Sequence, residues 1–502
     1  MGNCFSITDA SEKILKALPV ETAFKFPSPL PTFTQGGRFA NGTIDLGGLD
    51  VSQVPTFNKV WSTYEGGPNN LGVTFFEPSS VPTGFSILGY YAQPNNRQLF
   101  GWVLVAKDLS SNNTLKPPVD YTLVGNTESL MIKQDGPGYF WQPVAPDGYQ
   151  AVGLIVTNSS QKPPLDKVRC VRSDLTEQCE ADTSIWESNG VKVSTLRPTI
   201  RGTQATGVCV DEEYLPSSVN WYFSNGALLY KRGEESNPNP IEPNGANLPQ
   251  GGANDGSYWL DLPIDKKGKE RVKKGDLQST QAYLHIKPML GATFTDIAIW
   301  VFYPFNGPAR AKVKLITLPL GRIGEHIGDW EHVTLRISNF NGELWRVFLS
   351  QHSGGEWIDA CDLEFQEGGG SNKPVAYASL HGHAMYPKPG LVLQGNDGVG
   401  IRNDTAKSKK VFDTGLGYEV IAAEYGGEGG GVVEPPWVNY FRKWGPKIDY
   451  SVEDDVKRIE RFLFGALKRA FVNLVKKIPD EVYGEDGPTG PKLKGNWAGD
   501  EK

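Results

Sequence analysis

Long apolar runs are missing from this chain, and their absence removes the helical membrane-spanning class at once. No segment approaches the roughly 20 apolar residues that a spanning helix needs. Cysteine is scarce: the five present are an odd number at irregular spacing, which fits a reducing compartment, with Cys170 and Cys179 expected as free thiols. The first residues lack the apolar core of a secretory leader, so the sequons at Asn41, Asn112, Asn158 and Asn403 are expected to be chance matches. Excess positive charge is missing too. A net charge of −7 offers nothing to a nucleic acid. No His-Glu-x-x-His, nucleophile elbow or phosphate loop is present, which argues against the commoner hydrolase designs.

Glycine (58), proline (36) and aromatic residues (11%) are abundant, and they point to many short strands joined by turns. A chain of 502 residues has room for two or three such domains. Only six histidines occur, and four of them (His326, His332, His381 and His383) fall in two short segments.

The first segment is Gly324-Glu325-His326-Ile327-Gly328-Asp329-Trp330-Glu331-His332-Val333, running into the alternating Thr334-Leu335-Arg336-Ile337. A strand starting at Glu331 puts it on one face with Val333, Leu335 and Ile337, and Asp329 can share that face. Two acids on an apolar face need a counter-charge. Either a nearby Arg pairs with them or a bound cation does. One His among hard oxygen ligands suits magnesium, calcium or manganese better than structural zinc.

In chain order, Met1-Gly2-Asn3-Cys4-Phe5-Ser6 fits N-myristoylation at Gly2 with palmitoylation at Cys4. Two acyl chains would hold the protein on the cytoplasmic face of a membrane, which one chain does only marginally. A short helix over residues 8–18 and an extended Pro-rich arm over 26–31 are expected next. Residues 51–185 read as a β domain with an internal repeat. Phe76-Glu77-Pro78, Pro82-Thr83-Gly84-Phe85 and Gly89 recur as Trp141-Gln142-Pro143, Pro146-Asp147-Gly148-Tyr149 and Gly153, each a strand, a Pro-Gly turn and a strand. Two such hairpins suit a small sandwich or prism.

Residues 186–450 read as a second β domain. Trp221-Tyr222-Phe223 lies among short strands, residues 232–256 form an exposed mobile loop, and the lysines and arginine of 266–274 form a solvated loop or a contact for anionic headgroups. Over 451–502, Ser451 caps one long amphipathic helix ending at Pro479. Val456, Ile459, Leu463, Leu467, Ala470, Leu474 and Ile478 form its stripe, with Phe462 and Phe464 widening it. The polar tail from 480 reads as extended.

Pro146-Asp147-Gly148-Tyr149, Val168-Arg169-Cys170-Val171-Arg172-Ser173-Asp174, His381-Gly382-His383-Ala384 and Tyr483-Gly484-Glu485-Asp486-Gly487-Pro488 together resemble the plant vacuolar protein sorting-associated protein 62-like family. The hairpin also resembles adaptor-binding modules of large vacuolar-sorting lipid-transfer proteins. That resemblance implies a protein partner for residues 51–185. A second resemblance covers roughly residues 290–400. Ala298-Ile299-Trp300-Val301-Phe302-Tyr303-Pro304-Phe305-Asn306, with the segment around Asp329, is similar to the necrosis- and ethylene-inducing-like cytolysins. It implies a β-sandwich holding a divalent cation, magnesium or calcium, on His326, Asp329, Glu331 and Asn306. Asn306 stands where the cytolysins carry Asp, and Gly328 where they carry a second His. His381, in a Ser-x-His-Gly loop, would orient a bound water, with His383, His332 and Trp330 around the ligand.

These readings converge on a peripheral membrane protein whose cation pocket holds a lipid headgroup or glycan. Two alternatives remain open: a membrane-damaging protein that inserts residues 232–256 or the C-terminal helix, and a metal-dependent hydrolase using Glu331 or His381.

Overall fold

The computed structural model describes residues 42–46, 48–67, 70–95, 99, 101–109, 113–176, 178–188, 191–198, 214–352, 354–366, 373–396, 398–408, 410–423, 432–476, 487–497 and 499–501. Gly2, Cys4, the helix expected over residues 8–18 and the Pro-rich arm lie outside them. The fold is mainly β, 42% strand against 14% helix, in many small sheets, and no closed barrel occurs among the described residues. No helix among the described residues is long and apolar enough to cross a membrane.

Contacts divide the chain into two units, one made of residues 11–201 with 338–343, the other mainly of 202–337 and 344–502. In the first, β1 (Thr43–Asp45) precedes two copies of one six-strand module. The first copy is β2 (Leu49–Val54), β3 (Phe57–Ser62), β4 (Val73–Pro78), β5 (Ser86–Ile87), β6 (Tyr91–Pro94) and β7 (Val103–Asp108). The second is β8 (Leu115–Lys116), β9 (Asp120–Asn126), β10 (Tyr139–Val144), β11 (Tyr149–Gln150), β12 (Ile155–Thr157) and β13 (Cys170–Arg172). The pairing repeats with the strands. Sheet β3-β4-β6 answers to β9-β10-β12, and β2-β7-β5 to β8-β13-β11.

The repeated turn has one geometry in both copies. Phe85 N–H donates to the Pro82 carbonyl and Tyr149 N–H to the Pro146 carbonyl, each at 3.0 Å. Gly84 and Gly148 take the positive φ (85° and 80°) that the third position of such a turn demands. The copies meet backbone to backbone, since a Cβ on Gly153 would come within 2.6 Å of Gly89 Cα. Glycine at both positions is therefore a packing requirement. A hairpin of β14 (Cys179–Ser188) and β15 (Val191–Pro198) follows, and its buried Trp186 joins Trp61, Phe75 and Phe140 in a core drawn from both copies.

The second unit opens with α1 (Val219–Ser224), capped by the Ser218 hydroxyl. Trp221-Tyr222-Phe223 is thus helical rather than stranded, with Tyr222 and Phe223 buried. Next come β16 (Leu228–Lys231), β17 (Asn239–Pro240) and β18 (Tyr258–Asp261), paired in the order β17-β16-β18. Most of residues 232–256 are exposed, as expected, but the segment is anchored at two points: Ile241 and Leu248 are buried in one core cluster with Tyr222 and Trp437. Residues 266–274, by contrast, are not a loop. Asp265 caps α2 (Lys266–Lys273), and Val272 anchors it while most of its cations face solvent.

The main sheet contains β19 (Ala282–Met289), β20 (Phe294–Asn306), β23 (His326–Ser338), β24 (Leu344–Gln351), β25 (Gly354–Asp359) and β30 (Tyr418–Ala423), ordered β25-β24-β23-β20-β19-β30. A four-stranded sheet, β22-β21-β29-β28, contains β21 (Arg310–Val313), β22 (Ile316–Pro319), β28 (Gly390–Asn396) and β29 (Val399–Thr405). β26 (Tyr377–Ala378) and β27 (Met385–Tyr386) bracket the second histidine segment.

The single long C-terminal helix is corrected to two. α3 (Val452–Glu460) and α4 (Gly465–Val475) are separated at Arg461–Phe464, where Phe464 is extended and Gly465 has φ +57°. The stripe still packs. Leu463, Phe471 and Leu474 are buried with Ala311, Val313, Leu320 and Ile401. Val452, Val456 and Ile459 of α3 and Leu467, Ala470 and Val475 of α4 pack against this one cluster, so both helices share it.

Candidate cation and ligand pocket

A cavity of about 450 Å³ lies between the two large sheets of the second unit. Its lining brings together Asn306 from the end of β20, His326, Asp329, Trp330, Glu331 and His332 from β23, Ser350 from β24 and Asn403 from β29. Lys494 and Glu501 of the C-terminal tail complete it. His381 and His383 do not line it, although Gly382 between them does.

Asp329 and Glu331 are two apart on one strand, so their side chains emerge on the same face. Both are buried, at 7% and 6% exposure, and among the described residues neither pairs with an Arg or Lys. Asp329 Oδ2 accepts from His383 Nδ1 at 2.9 Å, and Oδ1 from the Trp330 N–H at 3.0 Å. Burial acts to raise the Asp329 pKa, but the His383 hydrogen bond and the positive field around it, to which Lys494 contributes, outweigh it and hold the group below its ordinary value. Glu331 goes the other way. Burial and the adjacent Asp329 charge push it well above the carboxylate range, against the Ser350 hydroxyl that donates to its Oε2. The two acids are thus pushed in opposite directions, Asp329 toward the ionised form and Glu331 toward the protonated one.

His326 Nδ1 lies 2.8 Å from the Gly328 carbonyl, which can only accept. Nδ1 therefore carries the proton and Nε2 is left bare. Burial holds this imidazole below its usual pKa, so it stays neutral. The Asn306 amide spends its N–H groups on the Gly307 and Gly324 carbonyls, at 3.1 and 2.7 Å, and its Oδ1 accepts nothing among the described residues. Gly328 has φ +68°, and a Cβ there would meet the Trp444 carbonyl at 2.7 Å. No histidine fits that position.

The four expected outer residues scatter in role. His383 stacks on Tyr303 at 3.8 Å, and its Nε2 is buried with no partner among the described residues. His381 Nδ1 donates to the Pro308 carbonyl at 2.9 Å. Trp330 belongs to an aromatic core with Trp437 and Trp444. His332 stacks on Trp300 and faces Glu501, with Nε2 and Oε2 3.1 Å apart.

Sequence reasoning missed the tail. Lys287, 1% exposed, donates to the carbonyls of Asn496 (3.1 Å) and Trp497 (2.8 Å), and the Trp497 ring lies on His285. Burial works to raise Glu501, yet His332, Thr334 and Asn496 bring it down to about 2. The available signal was Trp497 itself, a large apolar ring in an otherwise polar stretch.

Among the described residues no three His, Cys, Asp or Glu side chains form a metal-binding cluster. His326, Asp329 and Glu331 line one void without forming such a cluster; with the Asn306 amide oxygen, their donor types are two carboxylates, one amide oxygen and one bare imidazole nitrogen. In chemistry that set suits a hard divalent cation that keeps several of its waters, rather than zinc.

A family model described as vacuolar protein sorting-associated protein 62 matches residues 20–211 and 209–501. No curated protein matches the chain. Among solved structures, the crystal structure of GNIP1Aa from Chromobacterium piscinae is 23% identical, covering 28% of this chain and 27% of its own, with a TM-score of 0.24. A likeness of that extent carries nothing about fold or activity.

Proposed function

The chain belongs to the vacuolar protein sorting-associated protein 62 family, and from that premise we propose that it is a peripheral membrane-binding protein in a sorting-related role. Its pocket holds a magnesium or calcium ion and, through it, a lipid headgroup or sugar. The observation that supports this most is the Asp329–Glu331 pair: two buried acids on one strand that line one void with no Arg or Lys partner among the described residues. A dication allows both to ionise. Asp329, Glu331, Asn306 Oδ1 and His326 Nε2 would hold it. A bound cation of this kind exchanges water for hydroxyl or phosphate oxygens. Lys494, which lines the same void, favours an anionic ligand. Acylation at Gly2 and Cys4 would supply the membrane anchor, and residues 51–185 a surface for a protein partner.

Thermal melts with magnesium or calcium test the pocket. A cation at about a hundred times its Kd stabilises the wild type by about 2.7 kcal/mol. The Asp329→Ala/Glu331→Ala chain should show no cation-dependent shift, whatever its baseline. A wild-type melt unmoved by either ion would refute the site.

A further inference from the structure

We propose that the α3–α4 corner of the second unit is a docking surface for an anionic bilayer, with Phe462 and Phe464 as its wedge. The break between the helices sorts three consecutive apolar residues. Leu463 turns inward at 6% exposure, while Phe462 and Phe464 stand out at 77% and 78%. Two phenylalanines this exposed, one residue apart, are not needed by the core, which Leu463, Phe471 and Leu474 already fill.

Their surroundings carry the complementary charge. From Lys457 to Arg469 the sequence holds Lys457, Arg458, Arg461, Lys468 and Arg469 against a single acid, Glu460. Glu460 is taken by Lys468 at 3.5 Å, and Arg458 and Lys457 pair with Asp455 and Glu453. Arg461 and Arg469 are exposed and make no ion pair among the described residues. The remaining acids of α3 lie in its first turn, about 9–12 Å along the helix from Arg461 at 1.5 Å per residue.

Aromatic rings ringed by unpaired guanidinium groups match the bilayer interface. The rings enter the boundary between headgroups and acyl chains, and the cations meet lipid phosphates. Gly465, with φ +57° and open space where a Cβ would stand, presents the corner without a bulky neighbour. The inference rests on the peripheral-membrane part of the function proposed above and not on its cation pocket.

The test is co-sedimentation of the full chain, made in bacteria and so unacylated, with phosphatidylcholine vesicles with and without 30% phosphatidylserine in a cation-free buffer. The wild type should bind the anionic vesicles and release them in high salt. Phe462→Ser/Phe464→Ser should lower partitioning on the order of a hundredfold, about tenfold per ring. Arg461→Glu/Arg469→Glu should lower it at least about twentyfold. Thermal melts of both variants should match the wild type, since all four side chains are exposed. Repeating the wild-type sedimentation with added magnesium or calcium separates a failed corner from a failed pocket, because corner binding needs neither ion, and binding seen only with one of them overturns the corner. Equal binding of the phenylalanine variant overturns the proposal, as does a wild type indifferent to anionic vesicles. A wild-type dimer that the same variant dissociates also overturns it, by showing that a second copy covers the face.

Discussion

The two units bury very different things. Among the described residues, the buried polar side chains of the first unit are all neutral: Ser52, Ser62, Thr63, Thr74, Gln93, Asn95, Thr114 and Thr127. The second unit buries Lys287, Asp296, Asp329, Glu331, Arg336, Asp455 and Glu501, besides His332 and His383. In the first unit ion pairs stay at the surface, as Lys162–Asp120 does with both side chains more than half exposed. A buried ion costs several kcal/mol before any partner is counted. A fold seldom carries so many unless they hold something together or wait for something to bind. Some of these charges have structural partners. Arg336 joins Asp296 and Asp500, each at 2.9 Å, and so ties the tail to the main sheet. Asp329 and Glu331 at the cavity have no Arg or Lys partner among the described residues. Stability in the first unit therefore comes from aromatic packing. In the second it is coupled to electrostatics, and its pocket is where that coupling is left incomplete.

Removing one partner of a buried cluster sharpens the contrast most. Arg336→Met strands Asp296 and Asp500 and should destabilise the second unit by about 3–5 kcal/mol. Denaturant melts combined with hydrogen exchange would localise the loss, and protection that falls equally in both units would break the comparison. A smaller effect is expected from pH. Burial outweighs Arg336 and lifts Asp296 to about 7. Its folded pKa lies above the unfolded value, so its contribution is complete below about pH 4 and is lost as pH rises through 7. Unfolding free energy of the wild type, taken relative to Asp296→Asn, should fall by a few kcal/mol between those limits. A difference that grows with pH would reverse the argument. Least of all is expected from the first unit, where Lys162→Ala should move stability by less than about 1 kcal/mol, most of it removable by salt.

The repeat in the first unit could be read from residues because its turn chemistry is local. Proline fixes one φ, glycine supplies the positive one, and an aromatic follows, so copying the motif copies the hairpin. The strand carrying Asp329 and Glu331 was visible for the same reason, through its alternation. Other features have no local signature. Residues 232–256 look unburiable until Ile241 and Leu248 find Trp437, nearly 200 positions away. The apolar stripe after Ser451 runs on across the turn at Phe464 and Gly465, so its periodicity alone reads as one helix. His381 and His383 share a motif, yet one bonds a carbonyl and the other Asp329.

By itself the order of residues determined a mainly β chain, a duplicated hairpin, and two acids beside scarce histidines. Those follow from side-chain period and backbone preference, which act over a few residues. Tertiary structure alone decided that Lys494 and Glu501 of the tail line the pocket, that the pKa values of Asp329 and Glu331 shift in opposite directions, and that Phe462 and Phe464 face outward. Each of these depends on which distant groups share a low-dielectric space, and that proximity is created only by folding.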